Sequence, residues 1–190
     1  MDKFKELRER CERCTDCPLH ATRTNCVFGT GNPDADLMFV GEAPGEQEDL
    51  SGTPFVGRAG QLLDRYLYAV DLRREEVYIA NILKCRPPNN RDPRPDEEDA
   101  CIKYLREQVK LVQPKIIVCL GRISAMRLIK PDFKITKEHG LWFERCSFLM
   151  TAVYHPAALL RDPRLKEDMM RDMKSIKAQL SRLTNKAGCR

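Results

Sequence analysis

Four short apolar segments, each followed by a loop rich in glycine, proline or polar residues, constrain the fold of this 190-residue chain more than any other feature. Apolar runs of this length, bounded by such loops, are typical of buried strands. We predict strands over residues 37–40, 77–83, 116–120 and 148–153. The first and third of these segments are closed directly by a glycine.

Helical spacing of apolar residues fills the stretches between these strands. The clearest helix start is at Pro95, because proline suits the first turn and acidic residues follow near the positive end of the helix dipole. We predict helices over residues 2–13, 58–70, 95–112, 122–129 and 166–183. Strands that alternate with helices predict an α/β fold, with a parallel sheet covered by helices on both faces. We expect a single domain over residues 1–190, with a frayed tail from about 184 to 190.

Ligands in folds of this class bind beyond the carboxyl ends of the strands. The loops that follow Val40, Leu83, Leu120 and Val153 are therefore the places where a functional site is expected. Three of these four loops carry unusual residues.

Charge is spread unevenly along the chain. The formal net charge is +5, yet residues 1–60 hold seven Lys or Arg against eleven Asp or Glu. The basic remainder suits a polyanionic partner, although on charge alone a solvated surface is the favoured interpretation. No apolar run approaches the roughly 20 residues of a membrane span, and the charged N-terminus lacks the apolar stretch of a signal peptide. We therefore expect a cytoplasmic protein with no membrane partner.

Nine cysteines are many for such a chain, and in a reducing compartment they are not expected to form disulfides. Cys11, Cys14 and Cys17 are spaced two residues apart, and Cys85 and Cys101 follow far downstream. A local pair closed by a remote pair gives a four-thiolate site that suits Zn²⁺ or a [4Fe–4S] cluster. The spacing leaves open which metal is bound, which two of the first three cysteines are ligands, and whether the remote pair consists only of buried thiols.

Four loop motifs carry further chemistry: residues 41–49 (GEAPGEQED), 52–57 (GTPFVG), 81–91 (NILKCRPPNNR) and 155–161 (HPAALLR). Phe55, between proline and glycine neighbours, is either a stacking platform for a base or a core residue. The Asn81 amide offers a donor and an acceptor, so it can read the edge of a pyrimidine. His155 is placed to stabilise a developing anion, although a lone histidine is more often structural.

Together these motifs resemble the family 4 uracil-DNA glycosylases, the thermophile-type enzymes with an iron–sulfur cluster. The resemblance extends from about Cys14 to Arg161, with the motifs in the family's order and spacing. It implies a three-layer αβα fold with a central four-stranded parallel sheet. It also implies that Cys14, Cys17, Cys85 and Cys101 hold a [4Fe–4S] cluster, which leaves Cys11 as the extra cysteine of the motif.

The resemblance further implies roles in the excision of uracil from DNA. Phe55 would stack on the uracil ring, Asn81 would bind its Watson–Crick edge, and His155 would donate to O2 as negative charge builds there. The remaining implied pocket and DNA contacts are Gly41, Glu42, Ala43, Arg86, Arg91, Leu159, Leu160 and Arg161. A DNA-contacting loop between the two remote cysteines, with Lys84 just before it, is also expected.

Two positions differ from related uracil glycosylases of other families. Ala43 stands where those relatives place a water-orienting aspartate, so we expect Glu42, then Glu48, then Asn90 as the residue that activates water. Gly45 stands where they place a tyrosine that excludes the methyl group of thymine, and we expect Glu48 to crowd that position instead.

Three alternatives stay open from the sequence. A non-catalytic nucleic-acid-binding module with a zinc site shares the cysteine pattern. A different α/β hydrolase or nucleotide enzyme lacks support, because the chain has neither a P-loop nor a GxSxG motif. A relative that traps the substrate covalently would need a histidine between Glu48 and Phe55, and none is present. The expected partner is uracil-containing DNA, single- or double-stranded, bound by a monomer; a replication clamp is a further candidate without a convincing binding peptide.

Overall fold

A mixed sheet of six strands runs through the computed structural model, which describes residues 2–145 and 147–187. The strands are β1 (Thr30–Gly31), β2 (Leu37–Gly41), β3 (Tyr78–Asn81), β4 (Ile116–Leu120), β5 (Phe143–Arg145) and β6 (Phe148–Val153). Their order in the sheet is β1-β3-β2-β4-β6-β5. The four central strands pair in parallel, and β1 and β5 add antiparallel edges. The predicted four-stranded parallel sheet is therefore confirmed as the centre of a larger sheet.

Eight helices surround the sheet in the described part of the chain. They are α1 (Lys3–Glu12), α2 (Glu46–Ser51), α3 (Arg58–Ala69), α4 (Pro95–Val112), α5 (Arg122–Leu128), α6 (Ile135–Glu138), α7 (Pro156–Arg161) and α8 (Lys166–Ala187). The five predicted helices are confirmed, whereas α2, α6 and α7 are too short to show a helical period. Among the described helices, none has the length and apolar character needed to cross a membrane.

The predicted fraying from residue 184 is wrong for the part that the structure describes. Helix α8 continues to Ala187, and the hydroxyl of Thr184 donates to the carbonyl of Leu180 at 3.1 Å. Residues 188–190 lie outside the described residues.

Successive residues of each central strand point to opposite faces of the sheet, which makes two separate cores. Phe39 and Val118 pack with residues of α3, α7 and α8 on one face. Met38 and Cys119 pack with α4 and α5 on the other. The three-layer αβα arrangement is therefore confirmed, and Cys119 is a core residue as its position in a strand predicts.

A third apolar cluster lies beside the sheet, between α1 and α4. Leu7 of α1 packs there with Phe28 and Tyr104, and these side chains surround the cysteines of the N-terminal segment and of the loop after β3. The N-terminal segment is thereby held against the carboxyl end of β3, where one of the expected functional loops begins.

Candidate functional site

The register of the parallel strands sets the positions of the functional loops. Gly41 at the end of β2 pairs with Asn81 at the end of β3, and Leu120 at the end of β4 pairs with Val153 at the end of β6. Because all four strands run in the same direction, the loops that follow them leave from one edge of the sheet. The motif-bearing loops are thus brought together, as the α/β pattern predicts.

Gly41, in the first motif-bearing loop, lies where side chains of two other motif-bearing loops approach it. A Cβ atom built on it would lie 2.3 Å from Oδ1 of Asn81 and 2.6 Å from Cζ of Phe55. Such distances are shorter than any ordinary van der Waals contact, so only glycine fits between the amide and the ring. Predicted substrate contacts from three loops therefore adjoin one another.

The Asn81 side chain is buried with an unused acceptor. Only 1% of the residue is exposed, and Oδ1 has no hydrogen-bond partner among the described residues. Leaving a buried acceptor unpaired costs about 1–3 kcal/mol. A buried acceptor of this kind is a reasonable contact point for a ligand that brings its own donor.

Phe55 is held rigidly beside this amide. Its backbone has a φ of 54°, a left-handed conformation that is rare for a bulky residue. Arg74 donates to the carbonyl of Phe55 at 3.1 Å, and Oε1 of Glu48 accepts from the amides of Val56 at 2.9 Å and Gly57 at 2.8 Å. These contacts fix the loop on both sides of the strained residue, so the ring is positioned before any ligand arrives.

His155 follows β6 and faces the same ring, with centroids 5.7 Å apart. Its Nδ1 accepts a hydrogen bond from the amide of Ala157 at 3.1 Å. Burial, assisted by the charge of Arg161, lowers the pKa of His155 to about 4. The ring is therefore neutral at pH 7, and since Nδ1 is an acceptor, the proton is assigned to Nε2, which can donate.

Glu42, which directly follows β2, is a titratable group at the carboxyl end of this strand. Burial, with the charge of Asp92, raises the pKa of this half-buried carboxyl to about 7. Its backbone is fixed by a hydrogen bond from the amide of Leu83 to the Glu42 carbonyl at 3.0 Å. A carboxyl with a pKa near neutrality can act as a general base, which agrees with its first place among the expected water-activating residues.

Glu48 and Asn90, the other two candidates for water activation, have partners within the protein. Besides holding the Phe55 loop, the Glu48 carboxylate fills the space beside Gly45, where a Cβ atom would lie 2.7 Å from Oε2. The expectation that Glu48 crowds this position thus agrees with its geometry. The side-chain carbonyl of Asn90 accepts from Nε of Arg86 at 2.8 Å, so this exposed residue braces an arginine.

The two leucines of the HPAALLR segment lie in different environments, one in the core and one at the surface. Leu159 is fully buried in the core with α3 and α8, and it is therefore not placed to contact DNA as predicted. Leu160 is 40% exposed, and Arg161 after it is also exposed. Only these two residues of the predicted trio are at the surface, because the rotation of helix α7 turns one leucine inward.

Arg91, a predicted phosphate contact, forms a salt bridge with the buried carboxylate of Glu97. Its guanidinium binds Glu97 through two contacts, at 2.6 and 2.9 Å, and Arg94 reaches the same carboxylate at 3.1 Å. These hydrogen bonds, led by that of Arg91, lower the pKa of Glu97 to about 2. Two arginines thus share one negative charge, which leaves this loop basic and rigid.

The four cysteines implied as ligands line one cavity. Cys14, Cys17, Cys85 and Cys101 line a small cavity between the N-terminal segment and α4, and Cys11 also contributes to its wall. Within residues 2–145 and 147–187, no three His, Cys, Asp or Glu side chains are grouped as ligands of a single metal ion.

Donors are directed at two of these sulfur atoms. Arg23 donates to Sγ of Cys85 at 3.1 Å, and the backbone amide of Lys84 lies 3.3 Å from Sγ of Cys101. Burial raises the pKa of the Cys85 thiol to about 11 and that of Cys101 to about 12. N–H groups directed at sulfur are the environment expected around metal-bound thiolates.

Lys84, just before the loop in which DNA contacts are expected, is buried beneath the cavity. It is 1% exposed, and its ammonium donates to the carbonyl of Asn81 at 2.8 Å and to the side chain of Gln108 at 2.7 Å. The same residue therefore contacts the backbone of Asn81 and lines the cysteine cavity. Its position between apolar residues and a cysteine in the NILKCR motif was the signal of burial.

Arg74 is a second supporting residue that sequence reasoning missed. It binds the Phe55 loop and Asp64 of α3 at 2.8 Å, although it belongs to a charged turn without a recognisable motif. No local pattern in the sequence indicates such a contact, because its partners are 10 and 19 residues away.

Comparison with known proteins agrees with this arrangement. The family model of the uracil DNA glycosylase superfamily matches residues 28–176. A type-4 uracil-DNA glycosylase of Archaeoglobus fulgidus is 45% identical over 186 residues, which cover 93% of this chain and 92% of that protein. The corresponding enzyme of Thermotoga maritima is 43% identical over 178 residues, 90% of this chain and 92% of that protein. A type-5 uracil-DNA glycosylase of Pyrobaculum aerophilum is 29% identical over 188 residues, with 83% of each chain covered. The chain therefore belongs to the uracil-DNA glycosylase superfamily, as a member of its type-4 family.

Proposed function

We propose that this chain, acting as one domain, hydrolyses the N-glycosidic bond of uracil in DNA. The uracil arises by deamination of cytosine, and its removal leaves an abasic site that begins base excision repair. The observation that carries the proposal is the buried Oδ1 of Asn81, unpartnered among the described residues and close to Phe55, whose ring in turn adjoins that of His155. The family membership supports the same reaction.

Recognition follows from the complementary edges of uracil and the asparagine amide. A uracil extruded from the stack presents N3–H as a donor and O4 as an acceptor. Oδ1 of Asn81 accepts from the first, and the amide nitrogen donates to the second. Cytosine has the opposite pattern at both positions, so it would leave this buried amide unpaired. Phe55 supplies the face on which the ring stacks, and the missing side chain of Gly41 lets the Asn81 amide and the Phe55 ring lie close together.

His155 supports departure of the base as an anion. Negative charge develops on O2 as the glycosidic bond breaks, and the neutral imidazole, whose Nδ1 is an acceptor, has an N–H group on Nε2 to donate to that oxygen. A fixed donor at a developing anion is worth about 3–4 kcal/mol in enzymes. The Glu42 carboxylate then accepts a proton from the attacking water.

DNA contacts are supported at the rim of the pocket. Arg86 and Arg161 offer positive charge to phosphates, and the loop that holds Arg91 remains basic even though Glu97 binds it. The exposed Leu160 is placed to enter a vacated duplex position. These features support binding to double-stranded DNA, and single-stranded DNA is a second substrate to compare.

We also propose a [4Fe–4S] cluster in the cysteine cavity. Four thiols, two N–H groups directed at sulfur and a buried ammonium fit the negative charge of a thiolate-bound cluster. When bound, the cluster would link the N-terminal segment to the loop after β3 through Fe–S bonds. Hydrolysis requires no electron transfer, so the contribution that these residues support is structural.

We propose a monomer as the working form, and elution of the purified chain as a dimer in size-exclusion chromatography would contradict this. A replication clamp is a further partner to test, by co-elution with the enzyme.

The excision reaction is tested with a uracil-containing oligonucleotide in EDTA, followed by alkali to cleave abasic sites. We expect cleavage only at uracil, in single- and double-stranded forms, and none in cytosine or thymine controls. Asn81→Asp replaces a donor by an acceptor and should lower kcat/KM roughly 10- to 100-fold, the value of one charged or buried hydrogen bond. Asn185→Asp, exposed on α8, is the matched control and should leave the rate unchanged. Equal rates for the two variants would exclude Asn81 as a contact of uracil.

The thymine barrier is tested at Glu48. Glu48→Ala opens the space beside Gly45 and should allow measurable release of thymine from a T·G mismatch, with uracil excision also slowed because the Phe55 loop loosens. Glu48→Gln keeps the size of the side chain and should still exclude thymine. Discrimination by one methyl group is worth about 10- to 200-fold. An alanine variant that excises uracil yet still ignores thymine would sink the idea.

The pH dependence of single-turnover excision reports on Glu42. Because the pKa of this carboxyl is raised to about 7, the basic carboxylate forms as pH rises through 7. The wild-type rate should therefore increase up to about pH 7 and level off above it. Glu42→Gln should be slower by about 10²- to 10⁴-fold and should lack this inflection. His155, with a pKa of about 4, stays neutral throughout this range, so an inflection near 6.5 in the Glu42→Gln variant would contradict its assigned state.

The cofactor is tested by iron and sulfide analysis of the purified protein. We expect a brown protein with iron and sulfide, loss of both in Cys85→Ser, and retention of both in Cys119→Ala, whose thiol is buried in β4. Cys85→Ser should also unfold at lower temperature. A colourless protein that contains zinc instead would overturn the iron–sulfur proposal while leaving the excision assay to judge the reaction separately.

A further inference from the structure

Two cysteines outside the four implied ligands contact each other. Sγ of Cys11, in the last turns of α1, lies 3.4 Å from Sγ of Cys26, in the segment that leads to β1. Cys11 is 1% exposed and Cys26 is half-buried. Both pack in the cluster between α1 and α4, and neither has a role in the proposed excision or in the four-cysteine ligand set.

The two ligands Cys14 and Cys17 lie between these cysteines in the chain. A bond between Cys11 and Cys26, which are fifteen positions apart, would therefore enclose both ligands in one covalent ring. Arg23, which donates to the Cys85 thiol, lies within the same ring. The two sulfur atoms would have to approach from 3.4 Å to the bond length of about 2.05 Å.

We propose that Cys11 and Cys26 form a reversible disulfide that locks the N-terminal half of the cysteine cavity. A ring closed here restricts the unfolded chain and fixes the segment that carries Cys14 and Cys17 against the rest of the protein. Oxidising conditions would thus add a covalent cross-link within a segment that non-covalent contacts and the proposed cluster otherwise hold in place.

The reaction balances with a low-molecular-weight disulfide such as glutathione disulfide as oxidant. The Cys26 thiolate attacks one sulfur of this disulfide and forms a mixed disulfide, with release of one glutathione thiolate. Cys11 loses its proton to solvent and attacks the Cys26 sulfur, which releases the second glutathione. Two protein thiols are oxidised, and one glutathione disulfide is reduced to two thiols.

The order of these steps follows from accessibility and hydrogen bonding. Cys26 is the more exposed of the two, so it meets the oxidant first. A hydrogen bond with Cys11 lowers the pKa of the Cys26 thiol, whereas the same bond and burial raise the pKa of Cys11. The buried thiol is therefore suited to resolve the mixed disulfide rather than to begin the reaction.

The bond itself is tested on the holoprotein equilibrated in glutathione buffers of increasing oxidised fraction. Free thiols are then alkylated, and the protein is digested without reduction and mapped by mass spectrometry. We expect a peptide pair that joins Cys11 to Cys26 and that disappears on reduction. Cys26→Ser should show no such pair, and Cys119→Ala should show it unchanged. Absence of the pair in the most oxidising buffer, or pairing of either cysteine with Cys14 or Cys17 instead, would overturn the proposal.

The consequence for the fold is tested by thermal unfolding of the oxidised and reduced holoprotein. Ring closure of this size should raise Tm by roughly 5–10 °C in a chain of this length. Cys26→Ser, or Cys26→Ala should the serine variant fold poorly, should show no difference between the two conditions. Equal Tm values for oxidised and reduced wild-type protein, with the Cys11–Cys26 bond detected by mapping, would show that the disulfide does not stabilise the fold.

Discussion

The parallel pairing of β2 with β3, which sets Gly41 beside Asn81, is the contact on which the site depends. A shift of this register by one residue would turn every side chain of a strand to the opposite face. The side chain of Asn81 would then point to the opposite face, and each apolar residue of β3 would move from one core to the other. The hydrophobic pattern of two strands, rather than any contact with a substrate, therefore determines where the Asn81 amide lies.

The next level of organisation is a pair of opposite charges that hold a strained loop. Glu48 binds the amides that follow Phe55, and Arg74 binds its carbonyl. A phenylalanine with φ of 54° is unfavourable by itself and persists because these contacts stabilise it from both sides. The Phe55 ring is thus ordered in advance, so a ligand that contacts it would not bear the entropic cost of ordering the ring.

The fold was largely predictable because its central strands and long helices are encoded by local periodicity. Residues 37–40 and 116–120 are apolar without interruption, which is typical of strands covered on both faces. The edge strands β1 and β5 have two and three residues, too few for a pattern. Their pairing depends on neighbouring strands, which the local sequence does not encode.

Prediction of where a candidate residue lies succeeded where the residue ends or follows a strand, as for Asn81 and His155. It failed where the role depends on the orientation of a short helix or on a distant partner. Leu159 and Leu160 are equivalent in the sequence, and only the rotation of the six-residue α7 decides which one is buried. From the sequence, Arg91 was expected to be free to bind phosphate. Its bidentate pairing with Glu97 was not apparent because Arg91 lies before the start of helix α4 and Glu97 lies within the helix.

The burial of Lys84 has a consequence for the life of the protein in a cell. An ammonium removed from water is stable only while nearby negative charge and dipoles compensate it. A newly made chain without the proposed cluster holds this cation with the carbonyl of Asn81 and the side chain of Gln108 as compensation. We expect such a chain to open more often, and proteases degrade chains in proportion to the open fraction. Copies without the proposed cluster are therefore expected to be degraded selectively, so that copies that contain it accumulate.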